Sequence, residues 1–148
     1  MSMFSSFDIN ASGMTAQRFR MDTISENVAN ANTTRTEDGT PYRRKVVTFE
    51  QKGDQTSFSR VLNKARDQYS GQGVKVSGVY EDTWTETKLV YDPSHPDANE
   101  EGYVEYPNVN IITEMTNLID ASRAYEANST AFTATKSMAL KGLQMSSN

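Results

Sequence analysis

The chain has no cysteine, which excludes a disulfide framework and any cysteine-ligated metal site. It has one histidine, so the paired histidines of helical zinc motifs are out of reach. Core-forming residues are scarce: Leu, Ile, Val and Phe together make 26 of 148, under the roughly 20% that marks a self-sufficient core. With a net charge of only −4, self-repulsion is not what would keep the chain open. The isolated chain is therefore expected to fold incompletely and to gain order against copies or partners. No run approaches the roughly 20 apolar residues of a membrane helix. Met1 to Asn10 also lacks the basic patch and apolar run of a Sec-type signal peptide. These absences fit a cytoplasmic protein, or an exported one whose route reads no classical signal.

What is present is helix at both ends. Asn110 to Met145 contains no proline and one glycine, Gly142. Ile111, Leu118, Tyr125, Phe132 and Ala139 recur every seven residues, reinforced by Met115 and Leu143. That spacing lays a narrow stripe along one side of a helix and suits a coiled-coil seam. The companion positions Ala121, Ser122, Asn128, Ser129 and Thr135 are small or polar, so two such helices would pair weakly, whereas many copies could hydrogen-bond along the seam. Near the start, Asp8 to about Asn30 reads as a second helix with Asp8 as its N-cap. Phe7, Met14, Met21 and Val28 fall at seven-residue intervals, with Ala11, Ile24 and Ala31 beside them. An ordinary amphipathic helix lying on its own domain explains the same spacing. The position of the two stripes at opposite ends of the chain favours an antiparallel pair with the irregular sequence looped out between them.

The middle reads as a small β region. SENVANANTT, Ser25 to Thr34, ends the first helix in a structured turn. Tyr42 to Glu50 reads as a strand. Val74 to Thr85 alternates, with Gly78 on its apolar face; Thr87 to Tyr91 and Gly102 to Tyr106 follow, bounded by prolines. A β-meander is expected. Gly53 to Gly73 holds one weak helix candidate, with Ser57 as cap and Phe58, Val61, Leu62, Ala65 and Tyr69 at helical spacing. The predicted class is α+β: residues 1–32 with 108–148 as a helical coiled-coil domain, 33–72 as an extended or hairpin connection, and 73–107 as a small β domain.

Charge divides along the middle. Arg35 to Arg66 carries eight basic and four acidic residues, while Glu81 to Glu105 sets Lys88 against eight acids. Opposite surfaces of this kind suit stacked copies, although a solvated surface accounts for them too. The run Arg43, Arg44, Lys45 has no aromatic-basic companion and no basic excess behind it, so a solvated or partner-facing strand edge is expected and nucleic acid is not. The best cluster for chemistry is Asp92 to Glu101, which gathers His95 with several carboxylates. Its spacing matches neither a zinc motif nor a calcium loop, and a turn with solvated acids is the expectation. No nucleophile elbow, P-loop or dinucleotide fingerprint is present. No enzyme activity, catalytic residue, metal, cofactor or small-molecule substrate is expected.

At this point the residues resemble a family. The first helix running into Asn27-Val28-Ala29-Asn30-Ala31-Asn32-Thr33 resembles the N-terminal signature of the bacterial flagellar rod and hook axial proteins. Ala121 to Asn128, with Arg123 and Tyr125, is similar to their C-terminal signature. KLVYDPSHPDANEEGYVEYPNVNI, Lys88 to Ile111, narrows the resemblance to the proximal rod; Gly53 to Gly73 shares no pattern with it. The resemblance implies a non-enzymatic subunit of the basal body. It implies export without a cleaved signal peptide by the flagellar type III apparatus, and assembly in the cell envelope into a helical shaft that carries torque to the hook. The implied partners are further copies, other proximal rod proteins and the adaptor joining rod to membrane ring. Another axial subunit of the same family, or a cytoplasmic helical adaptor, is the competing reading.

Overall fold

The computed structural model describes residues 3–52 and 72–146. The helix candidate capped by Ser57 and running through Tyr69 lies outside the described residues. Helix α1 spans Met3–Ala29 and therefore starts before Asp8, which lies inside the helix and does not cap it. Nothing between Met3 and Asp8 breaks a helix, because no proline or glycine stands there. The helix ends in a tight turn in which the amides of Asn30, Ala31 and Thr33 donate to the carbonyls of Glu26, Val28 and Asn30.

Helix α2 spans Ile111–Ser146. Asn110 caps it, its Oδ1 accepting from the amides of Ile112 (3.0 Å) and Thr113 (3.3 Å). The helix is rich in Thr and Ser, which ordinarily compete with helical backbone. Here the hydroxyls of Thr116, Thr130, Thr133, Thr135 and Ser137 each donate to the carbonyl four residues back. That bond keeps a hydroxyl satisfied without leaving the helix.

Between the helices the described residues form two separate two-stranded sheets, where a single meander was expected. Strand β1 (Lys45–Gln51) pairs with β2 (Val74–Glu81). The amide of Lys52 donates to Gly73 and that of Asp82 to Arg44, so the two strands run in opposite directions. Strand β3 (Lys88–Tyr91) pairs antiparallel with β4 (Tyr103–Tyr106), in the register Lys88 to Tyr106 through Tyr91 to Tyr103. The meander fails at Asp82, whose carboxylate accepts from the amides of Trp84 and Thr85 and from the Thr85 hydroxyl. This Asx turn ends β2 and diverts the chain before β3 begins. At the other hairpin, Gly102 adopts φ +84°, and a side chain there would meet the Tyr91 ring at 2.9 Å. Gly78 makes room for the Tyr80 ring, 3.0 Å from where its Cβ would stand.

The chain divides into two compact units, each drawing on both helices. The first comprises Met1–Arg18, Phe49–Ser77 and Ser122–Asn148. In it the helices run antiparallel: Phe7 meets Phe132 edge to face at 5.0 Å, and Gly13 lies against Asn128. Ser12 ties the sheet to α1, its Oγ accepting from the Val74 amide (3.1 Å) and donating to the Ile9 carbonyl (2.7 Å). The second unit comprises Phe19–Thr48 and Gly78–Ala121. Its core is Ile24, Ala31, Tyr42, Val104 and Ala121, together with four buried polar residues, Thr23, Asn27, Asp82 and Glu114. Fully burying Val104 is worth about 2 kcal/mol, and few other large aliphatic side chains add to it.

Candidate functional site

The helical faces are the first candidate. On α1, Phe7, Met14, Met21 and Val28 are each half-buried. The deepest row runs beside them and is built of Gly13, Ala16, Thr23, Ile24 and Asn27. On α2, Leu118, Tyr125, Phe132 and Ala139 are half-buried, as are Asn128 and Thr135, while Glu114 and Ala121 are fully covered. Ile111, Met115 and Leu143 stand exposed, together with Ile112, Ile119, Met138, Leu140 and Met145. Small and polar residues are thus inside, and most of the large apolar residues of α2 are outside. Of the signature residues, Asn27 and Ala121 are buried, Tyr125 and Asn128 are half-buried, and Ala29, Asn32 and Arg123 are exposed. Asn30 and Thr33 hold the turn through a 3.1 Å bond from the Thr33 hydroxyl to Asn30 Oδ1.

The second candidate is a buried polar anchor in the second unit. Asn27 is wholly buried and Glu114 is 1% exposed. The Asn27 amide mimics a neighbouring strand: its Oδ1 accepts from the Lys45 amide (2.8 Å) and its Nδ2 donates to the Lys45 carbonyl (2.9 Å). The Tyr42 hydroxyl also donates to Oδ1 (2.9 Å), and Nδ2 also donates to Glu114 Oε2 (3.0 Å). Glu114 Oε1 accepts from Arg44 Nε (2.9 Å) and from Asn117 Nδ2 (3.3 Å). Asn108 holds the adjacent residue, accepting from the Arg44 amide and donating to the carbonyls of Asp82 and Thr85. Two asparagines therefore grip consecutive residues at the start of β1. Every member of this network has a partner, which is the condition for a buried polar cluster to specify one arrangement.

Sequence reasoning placed Asn27 in a signature but missed its partners. Arg44 and Lys45 were expected at a solvated or partner-facing edge; instead Arg44 sits against Glu114 and, at 3.6 Å, Asp82, and Lys45 pairs with Glu26. Part of the expected charge division is neutralised in the same way, since Arg35 lies 3.7 Å from Asp97. Burial, helped by Glu26, Glu81 and Glu114, pushes the Tyr42 hydroxyl up to about 12. Asp82 is held below the usual carboxylate range, first by the Thr85 amide and hydroxyl, then by the Trp84 amide and Arg44.

Asp92 to Glu101 forms an ordered turn. His95 Nδ1 accepts from the Asp97 amide, and Asn99 Oδ1 accepts from the amides of Glu101 and Tyr103. Among the described residues no three metal-ligating side chains gather, and no helix is long and apolar enough to cross a membrane. An open groove of about 670 Å³ lies beside the start of α2 in the second unit.

Paired terminal helices that bury small and polar residues while showing large apolar ones make this a protein of the helix-paired kind with an exposed apolar face. Residues 7–35 match the family described as Flagella basal body rod protein, and residues 100–145 match Flagellar basal body rod FlgEFG protein C-terminal. The flagellar basal-body rod protein FlgC of Bacillus subtilis is 48% identical, over 98% of this chain and 99% of the relative. Its namesake in Borreliella burgdorferi is 46% identical over 93% of each chain, and that of Salmonella typhimurium 40% identical over 98% of each. The chain belongs to the FlgC family of flagellar basal-body rod proteins, as a structural subunit of the rod.

Proposed function

We propose that the chain assembles with copies of itself and with other proximal rod proteins into the helical shaft that carries motor torque across the periplasm to the hook. In this reading it is exported by the flagellar type III apparatus without a cleaved signal peptide. It meets the adaptor joining rod to membrane ring, and it acts without cofactor or catalysis. Residues 1–32 and 108–148 serve as the helical assembly portion and 73–107 as a small β portion. The seam residues Phe7, Met14, Met21, Val28, Leu118, Tyr125, Phe132 and Ala139 close the helix pair, and Ile111, Met115 and Leu143 face neighbours.

The observation that carries this reading is the inverted distribution on α2. Ile112, Ile119 and Leu143 are exposed, while the fully covered positions of that helix are Glu114 and Ala121. Exposed apolar patches of that extent mark interaction surfaces. Torque transmission needs many subunits in register, and many modest contacts supply it without any strong pair. The test is Ile119→Asp in cells lacking the native copy. The variant is expected to be secreted at the normal level and to be missing from purified basal bodies, leaving cells non-motile. Normal swimming would overturn the reading.

A further inference from the structure

We infer that His95 is a pH-operated latch: its neutral imidazole fastens the 92–101 turn to the loop that follows α1, and protonation releases it. Such a latch acts inside one subunit, whatever that subunit assembles with. Residues 92–101 carry two successive tight turns that share His95. Its amide donates to the Asp92 carbonyl at 3.2 Å, and its carbonyl accepts from the Ala98 amide at 3.1 Å. Pro96 stands directly after it and suits the second position of the second turn. Across this stretch three side chains each accept from the amide two residues further on: Asp92 from Ser94 (3.1 Å), His95 from Asp97 (3.1 Å) and Asn99 from Glu101 (3.0 Å). Asp and Asn are the ordinary residues for that bond. The middle position uses an imidazole instead. Its Nδ1 has one lone pair, so a single proton abolishes the acceptor, and the neutral ring must carry its hydrogen on Nε2.

Asp97 makes that bond consequential. Its amide is held by the imidazole, while its carboxylate accepts from the Thr34 hydroxyl at 2.8 Å and lies 3.7 Å from the Arg35 guanidinium. Thr34 and Arg35 open the loop that leaves the α1 turn. The groups facing the imidazole are Asp92 and Asp97 of its own turn and the Tyr106 ring of β4, 6.4 Å away; the loop brings Arg35 to Asp97. Asp92 is held below the usual carboxylate range, first by the Ser94 hydroxyl and amide and then by the charge of His95. It therefore stays anionic while the ring gains its proton. A doubly protonated ring would set its Nδ1–H against the Asp97 N–H, two donors 3.1 Å apart, with Asp92 beside it as an acceptor. The ring turns away, the Asp97 amide loses its partner, and the grip of Asp97 on Thr34 and Arg35 loosens with it. Histidine is the side chain that changes charge between pH 5 and 8, and this chain has only one.

The test is an NMR titration of the full chain from pH 7.5 to 5, a window above the ordinary carboxyl range. The His95 ring protons, the Asp97 amide and the Thr34 amide are expected to shift with one midpoint. Protection of the Asp97 amide from hydrogen exchange, corrected for the pH dependence of exchange itself, should fall roughly five-fold, the worth of one ordinary hydrogen bond. His95→Asn keeps an oxygen acceptor and takes no proton in this window, so Asp97 and Thr34 should stay still in that variant. His95→Ala should leave Asp97 poorly protected at both ends. An Asp97 amide that ignores the His95 titration overturns the latch, as does a Thr34 amide that stays still while Asp97 moves. Equal shifts in His95→Asn would assign the transition to another group and overturn it too. The titration of the unmodified chain decides by itself if either variant fails to fold.

Discussion

Asn27 and Glu114, 87 residues apart in the chain, join the end of α1 to the first turn of α2 through one 3.0 Å hydrogen bond. Both are shut away from solvent, so neither can exchange its partner for water. Asn27→Ala strands the Tyr42 hydroxyl and both backbone groups of Lys45 and is expected to cost roughly 3 kcal/mol in urea unfolding. Glu114→Ala removes the acceptor of Arg44 Nε and of Asn27 Nδ2, but Arg44 keeps Asp82 at 3.6 Å and Asn27 keeps the Lys45 carbonyl, so it should cost less, about 2 kcal/mol. The double variant should lose about 1 to 2 kcal/mol less than the sum, because the two side chains act on one another. Additive losses would mean that the bond contributes nothing of its own.

Asp82 gives the fold a sensor at low pH. Its carboxyl is held below the ordinary range by the Thr85 amide and hydroxyl, the Trp84 amide and Arg44. The folded pKa is lower than the unfolded one, so the stabilisation is complete above about pH 4 and is lost as pH falls through the folded value. Trp84 is the chain's one tryptophan and sits in the same turn, so its fluorescence reports the loss. The emission is expected to change with a midpoint below that of a free aspartate. Asp82→Asn should flatten the transition; an unchanged titration in that variant would assign it elsewhere.

Tyr42 marks the opposite limit. Its hydroxyl is pushed up to about 12 by burial and by Glu26, Glu81 and Glu114. A raised folded pKa favours the neutral form, so this contribution is present below about pH 10 and lost as pH rises through 12. In an ultraviolet titration Tyr42 should ionise in a step near pH 12, and Tyr42→Phe should remove that step. The variant should lose about 1 kcal/mol, since Asn27 Oδ1 keeps its bond from Lys45.

Period and spacing made the two helices and their antiparallel arrangement readable, because seven-residue recurrence survives in the sequence whatever covers it. The deepest row of the first helix was not readable by the same sign. Gly13, Ala16 and Asn27 carry no hydrophobic signal, and Glu114 reads as an ordinary first-turn acid until Arg44 and Asn27 are seen against it. Lys45 looked like a solvated edge because the residue it leans on, Glu26, lies on another element. The separate sheets were hidden for a similar reason. The β1–β2 pairing spans the segment 52–73 and leaves little trace in either strand, whereas β3 and β4 are joined by the ordered turn of Asp92 to Glu101. Asp92 to Glu101 read as a turn from its prolines and acids, and the hydrogen bonds of Asp92, His95 and Asn99 supply the order that composition could only suggest.

Gly13 and Asn128 set how closely the helices approach in the first unit. A Cβ on residue 13 would stand 2.7 Å from Asn128 Oδ1 and 2.9 Å from its Cγ. Asn128 is itself fixed, its Nδ2 donating to the Ala124 carbonyl at 2.8 Å. A larger residue at 13 must turn that amide away or push the helices apart, and overpacking of this kind costs about 1 to 3 kcal/mol. Gly13→Val is therefore expected to lower the melting temperature by circular dichroism and to shrink the swimming halo in cells. Adding Asn128→Ala removes the obstructing atoms and should recover most of the lost stability. Asn128→Ala alone should cost less than Gly13→Val, because the carbonyl it frees is on a solvated helix. If Gly13→Val melts with the unmodified chain, or if Asn128→Ala fails to rescue it, the close approach at this pair is not what limits the residue at position 13.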